Sequence, residues 1–349
     1  MARNVVAGLV SVLVALALCE GLLRLFGEAM LPRAEAYLLD PDMGKRLRPG
    51  WTGTEFGAPV QVNSHGLRNP EVSWEKPVGR FRILALGDSW TFGFRMEEPT
   101  SYPRQLERIL NGPPAGRPVQ VINAGVVGYS TAQEAAYLRV DGHRYRPDLV
   151  IVAFYPVNDT EDKLSRYARY QNLRDIHPAL LEIYTLPRRL RLRQFIKGAR
   201  RALKFRLAQL RVSAASRVGI EDTSARRVLE ADWTAPYHPG DSGWELTRVA
   251  LLEIGETVRE IGADGLVVLL PDLGNLGRYV DRYHPRVEPL VRTAAVEAGL
   301  DWLDLLDRFA PYRGSEEVVR LGGYRHPSAS GYRVIAEAVA ETVRERYLR

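Results

Sequence analysis

The sequence predicts an α/β fold in which helices cover both faces of a parallel sheet of five strands. Two observations carry this. Aliphatic runs recur at Phe81–Leu86, Val119–Ile122, Leu149–Tyr155, Leu266–Leu270 and Leu300–Leu305, and they are mostly apolar, Leu149–Tyr155 and Leu266–Leu270 without a break, as strands buried on both faces are. Helical patterns separate them, at Tyr102–Leu110, Thr131–Val140, Trp244–Ile261, Val287–Ala298 and Ala329–Tyr347. The last carries Ile335, Val339 and Val343 at four-residue spacing with Ala336 and Ala340 beside them, which makes one packing face.

At 349 residues the chain is longer than a usual single domain, so a large α/β domain with insertions or appendages is expected. Hydrophobic content of 46% with 26% charged residues is ordinary for a folded chain and excludes disorder as its main character. Cys19 is the only cysteine, so no intrachain disulfide can form and cysteine usage is silent about compartment.

The N-terminal segment is more informative about compartment. Val5 to Cys19 carries no charge, and after Glu20 the apolar pattern resumes through Leu22, Leu23, Leu25 and Phe26; about 22 such residues suffice to cross a bilayer core as a helix. The apolar run continues past the small-residue stretch Ala15-Leu16-Ala17 that a signal peptidase would use, which favours an uncleaved anchor. Leu18 before Cys19 argues against a lipoprotein signal. With Arg3 near the amino terminus, residues 1–4 are expected to be cytoplasmic, 5–26 to span the membrane once, and the remainder to lie outside the cytoplasm. Residues 27–78, rich in Pro, Gly and Asn with short strand-like pieces such as Pro59–Asn63, are expected to form a stalk packing on the domain at 79–349.

Roughly 100 residues separate the third strand from the fourth, more than one crossover needs, which places an insertion at about 161–240. Within it Arg188 to Arg211 holds eight Arg and two Lys and no acidic residue, interleaved with Leu190, Leu192, Phe195, Ile196, Leu203, Leu207 and Leu210. Against a whole-chain net charge of +6, this segment alone makes the protein basic. Two readings remain open: an amphipathic helix at a membrane surface, and a solvated helix whose Arg stems cover apolar surface. Nucleic acid is not expected to meet an exported domain.

Candidate chemistry gathers in loops that leave the carboxyl ends of strands, where ligands bind in open α/β sheets. Gly87-Asp88-Ser89-Trp90 follows the first strand and puts a serine at its tip, beside the orphan N–H groups of a helix start. Asn123-Ala124-Gly125 follows the second, and a glycine there lets backbone approach a ligand. Asn158-Asp159 follows the third, with an amide able to donate. His326-Pro327 precedes the final helix, and the proline keeps His326 out of helical geometry. Each element alone is also an ordinary turn or helix cap.

Taken in this order, the four segments resemble the blocks of the SGNH (GDSL) hydrolase family, closely over about residues 80–160 and 320–349. Asn63-Ser64-His65-Gly66-Leu67-Arg68 and Gly128-Tyr129-Ser130-Thr131-Ala132-Gln133-Glu134 are similar to a membrane-anchored bacterial branch of it. The resemblance implies a flavodoxin-like three-layer α/β/α sandwich. It implies Ser89 as nucleophile, His326 as general base, and an oxyanion hole formed by the Ser89 and Gly125 N–H groups with the Asn158 side chain. Asp88 and Asp159 are expected to support the site structurally. The implied substrate is a carbohydrate O-acetyl ester or another small ester, cleaved through an acyl-enzyme. The alternatives are an O-acyltransferase acting on envelope polysaccharide and a non-catalytic envelope protein that retains the fold.

Two departures stand out. The family usually reads Gly-x-Asn-Asp in its third block, and Pro156 stands in the glycine position; it usually carries Asp three residues before the histidine, and Gly323 stands there. The base could then be oriented by a backbone carbonyl or by Asp272, Asp301 or Asp304, or the site could be slow or dead; a Ser89–His326 dyad is the favoured reading. No metal or cofactor is expected: His65, His143, His177, His238 and His284 lack metal-ligand spacing, and no phosphate-binding Gly-x-x-x-x-Gly-Lys loop occurs. The sequence leaves the oligomeric state open.

Overall fold

The structure is a computed structural model and describes residues 11, 14–22, 36–113, 116–160, 236–322 and 324–348. The chain divides into two compact units, one of Met1–Ala34 with Tyr170–Trp233, the other of Glu35–Arg169 with Thr234–Arg349. Of the first unit only residue 11 and residues 14–22 are described, all helical. Among the described residues no helix is long and apolar enough to cross a membrane. Most of the span expected at 5–26, and all of the basic segment 188–211, lie outside the described residues.

The second unit holds a five-stranded parallel sheet. Its strands are β5 (Phe81–Gly87), β6 (Val119–Asn123), β7 (Leu149–Phe154), β8 (Asp264–Leu269) and β9 (Asp301–Asp304), in the order β6-β5-β7-β8-β9. That is the flavodoxin-like order, in which the chain reverses direction across the sheet after the second strand. The apolar runs produce it directly: every residue of β5 and of β7 is buried, as double-sided coverage requires. Register brings Gly87 opposite Ala153 and Ala85 opposite Asn123. The loops leaving β5, β6 and β7 therefore emerge together at one edge.

Helices α2 (Tyr102–Leu110) and α6 (Ala329–Arg346) pack on each other on one side. On the other, α3 (Thr131–Val140), α4 (Ser242–Glu260) and α5 (His284–Glu297) form a row in which each packs on the next. The split follows from right-handed crossovers leaving the central strand in opposite directions. A further short helix, α1 (Ser89–Phe92), follows β5 directly. α5 begins at His284 rather than at the expected 287, continuing from the helical turn Tyr279–Tyr283, and Pro285 is tolerated in its first turn, where a missing N–H costs no hydrogen bond.

Residues 36–78 include two antiparallel hairpins, β1 (Tyr37–Asp40) with β2 (Gly44–Leu47) and β3 (Thr52–Glu55) with β4 (Ala58–Gln61). Two buried arginines bind this segment to the sheet. Arg82 on β5 donates to the carbonyls of Trp74, Glu75 and Tyr145 and to Gln120 Oε1. Arg68 donates to carbonyls on both sides of its contact, those of Phe92 and Gly93 at the end of α1 and that of Pro59 on β4. A buried guanidinium with several carbonyl partners satisfies chain ends that no water reaches.

Candidate active site

Ser89 is the first residue of α1, and Asp88 is its N-cap. The Asp88 carboxylate is fully buried; Oδ1 accepts the Trp90 N–H at 2.8 Å, which fixes the first turn. The Ser89 N–H has no acceptor among the described residues. The serine hydroxyl stands 2.8 Å from His326 Nε2 and 3.2 Å from Asp88 Oδ2. It has one proton to give, and the shorter approach belongs to the imidazole.

The Asn158 amide nitrogen donates to Asp88 Oδ2 at 2.8 Å, the oxygen that also faces Ser89 Oγ. The reverse amide orientation would set two oxygens against each other, so the nitrogen is fixed toward the serine side. Asp159 Oδ2 accepts the Tyr155 N–H at 2.5 Å and closes the loop after β7, while the Tyr237 hydroxyl donates to the Pro156 carbonyl at 2.8 Å. The loop thus reaches the serine with proline in place of glycine.

His326 is held by a tight loop. Its carbonyl accepts the Leu321 N–H at 2.8 Å, Arg320 bridges to Pro327, and Ser328 N–H donates to the Val319 carbonyl at 2.8 Å. Burial lowers the imidazole pKa from 6.5 to about 4. No charged neighbour offsets that, and the ring is neutral at pH 7.

The profile of the GDSL-like Lipase/Acylhydrolase family matches residues 85–334 of the chain. The chain belongs to that family. Among solved structures, this GDSL-like chain is similar to TesA (14% identity, covering 76% of this chain and 98% of that one, TM-score 0.45). It is also similar to the acetylxylan esterase Axe2 from Geobacillus stearothermophilus (15%, 77% and 96%, 0.45). A third is the psychrotrophic esterase EstA from Pseudoalteromonas sp. (11%, 76% and 97%, 0.43). A search of curated proteins finds no match. Membership of a lipase/acylhydrolase family supports ester hydrolysis as the chemistry of the site.

One expected GDSL-site donor requires correction. The Gly125 N–H is bonded to the buried side-chain oxygen of Asn123 at 2.9 Å, and so is not open to a ligand. The glycine is needed for another reason: a Cβ at 125 would lie 2.3 Å from Phe92 N and 2.7 Å from the Thr91 carbonyl carbon, inside the nucleophile-bearing turn. Further along the same loop, Gly128 has φ +74° and an N–H with no acceptor among the described residues. The sequence showed both glycines, but only the hydrogen bonding separates them.

The orienting carboxylate is also absent from the places considered. Asp272 takes Arg325 Nη1 at 2.8 Å and the Gly274 N–H at 2.8 Å. Asp304 accepts from His284 and from the Leu306 N–H, and Asp301 from the Tyr347 hydroxyl. His326 Nδ1 is buried with no hydrogen-bond partner among the described residues, which also rules out the backbone-carbonyl alternative there. What does lie on the ring is Phe94, stacked at 4.1 Å between centroids with 24° between planes. Sequence reasoning missed it; an aromatic five residues after the serine is the only signal it left.

Proposed function

We propose that this chain cleaves ester bonds through an acyl-enzyme on Ser89, with His326 as general base. The 2.8 Å approach of Ser89 Oγ to His326 Nε2 carries the reading. Neutral Nε2 accepts the hydroxyl proton as Oγ attacks the ester carbonyl carbon, and the oxyanion that forms faces the Ser89 N–H and the Asn158 amide. The resulting imidazolium returns the proton to the leaving alkoxide. Water, activated by the same nitrogen, then releases the acid.

The substrate class we favour is a small acyl ester of a carbohydrate hydroxyl. A sugar hydroxyl in place of water would give acyl transfer by the same steps. The unpartnered Nδ1 favours the non-catalytic reading, because no carboxylate stabilises the imidazolium. Labelling of the purified full chain with a fluorophosphonate decides between catalysis and binding alone. Native protein is expected to label and Ser89→Ala to remain unlabelled; equal labelling of both would remove Ser89 from the mechanism.

Since burial lowers the His326 pKa to about 4, the working neutral ring persists well below the pH at which an ordinary histidine protonates. The acid limb of kcat/KM for p-nitrophenyl acetate is expected near pH 4 rather than near 6.5. The same shift makes folding stability decline as pH falls from about 6.5 through 4, because the unfolded chain binds the proton first. A limb at 6 or above would mean a solvated or carboxylate-paired ring.

We further propose that residues 5–26 anchor the chain once in a membrane, with the α/β domain outside the cytoplasm. The uncharged run supports this, as does the exposure of Val14, Leu16, Leu18 and Leu22 on helical residues. The full chain is expected to stay with membranes through alkaline carbonate extraction. Release into the supernatant would count against the anchor.

A further inference from the structure

The base of a serine hydrolase must be held with one ring nitrogen facing the nucleophile, and a carboxylate on the other nitrogen ordinarily does this. Here the loop contacts of Leu321, Val319 and Pro327 fix the backbone of His326, but they leave the side-chain torsions free. The single hydrogen bond at Nε2 cannot fix the ring plane, because the ring can turn about an axis near that bond. Nδ1 contributes nothing. The Phe94 face supplies the missing constraint.

Phe94 is tied to the nucleophile as well as to the base. It follows Gly93, whose φ of +85° ends α1, and its N–H donates to the carbonyl of Ser89 at 3.0 Å. The residue that touches the imidazole is thus bonded to the backbone of the residue that carries the hydroxyl. Its ring is itself packed, with Phe56 from the β3–β4 turn at 4.7 Å and Tyr324 edge-on at 6.0 Å. Arg95 covers the Tyr324 ring at 4.7 Å. Stacked rings separated by 4.1 Å resist tilting because tilting loses contact over both faces.

We propose that Phe94 is a positioning residue for the base, its ring doing the orienting work that a carboxylate on Nδ1 does in a triad. This rests on the Ser89–His326 reading above. Three sets of charged groups come near: Asp88 beyond the serine hydroxyl, Arg325 in its pair with Asp272, and Arg95 on Tyr324. None reaches Nδ1, so the stack and its exclusion of water set the state of the ring.

The test uses the full chain with Phe94→Leu and Phe94→Tyr. Phe94→Leu is expected to lower kcat for p-nitrophenyl acetate by about 10-fold or more with little change in KM, and to move the His326 titration, followed by nitrogen NMR of labelled histidine, from about 4 toward 6.5 as water reaches the ring. Phe94→Tyr keeps a stacking face and should retain both. Should the leucine variant fail to fold, Phe94→Met serves in its place. A kcat within 2-fold of native and an unmoved titration in Phe94→Leu would overturn the proposal, as would equal damage from tyrosine. Native protein that fails to label with fluorophosphonate would defeat the hydrolase reading instead, and the titration would still report on the stack.

Discussion

Ser89→Ala is expected to lower kcat/KM for p-nitrophenyl acetate by about 10³- to 10⁴-fold, and His326→Ala by a similar factor. The two groups act in one step: without the hydroxyl the imidazole has no proton to accept, and without the imidazole the hydroxyl is a weak nucleophile. The double variant should therefore lose little more than either single one. Additive losses would mean that each residue acts separately. The native rate itself should be modest, because a base whose pKa has fallen to about 4 accepts a proton weakly and no carboxylate steadies the imidazolium. For that reason the comparison is best made on single-turnover release of p-nitrophenol, where a slow second step does not hide the first.

The sheet was legible in the sequence because central strands such as β7 are buried on both faces and so appear as uninterrupted aliphatic runs, as Leu149–Phe154 does. Ser89, Asn158 and His326 were legible because local turn chemistry leaves a pattern: an N-cap aspartate, an Asn-Asp turn and a His-Pro step before a helix. Contacts that bind distant segments were not. Gly125 was read as a donor, yet its N–H goes to a side chain two residues back and its missing Cβ makes room for a different loop. Phe94 has no motif, since its work depends on a histidine 232 positions later that packs against it only in the folded chain. The residues expected to form a stalk carry Arg68 and Asn69, whose side chains reach the carbonyls at the ends of α1 and β6. No local pattern announces such a reach.

That reach makes Arg68→Met the substitution with the largest expected cost to the fold. The Arg68 side chain is 0% exposed and has no carboxylate in ion-pair contact among the described residues. Its guanidinium instead donates to the carbonyls of Phe92, Gly93, Pro59 and Met96 and lies over the Phe92 ring at 4.7 Å. Burial lowers its pKa, partly offset by Glu98, so the charge is held there at a cost that the four carbonyls and that carboxylate must cover. Methionine fills much of the volume but leaves those carbonyls without donors. At about 1–3 kcal/mol for each buried group left unpaired, reduced by local relaxation, a loss of about 3–5 kcal/mol is expected. Thermal unfolding followed by circular dichroism should show it as a fall of about 5–15 °C. Lysine should recover little, since one ammonium cannot span carbonyls on two separate segments. Because Phe92 and Gly93 lead into Phe94, the fluorophosphonate labelling rate of whatever fraction remains folded should fall too. A melting temperature within 2 °C of native would show that water or a shifted side chain replaces the guanidinium, and that the 63–69 segment does not brace the nucleophile turn.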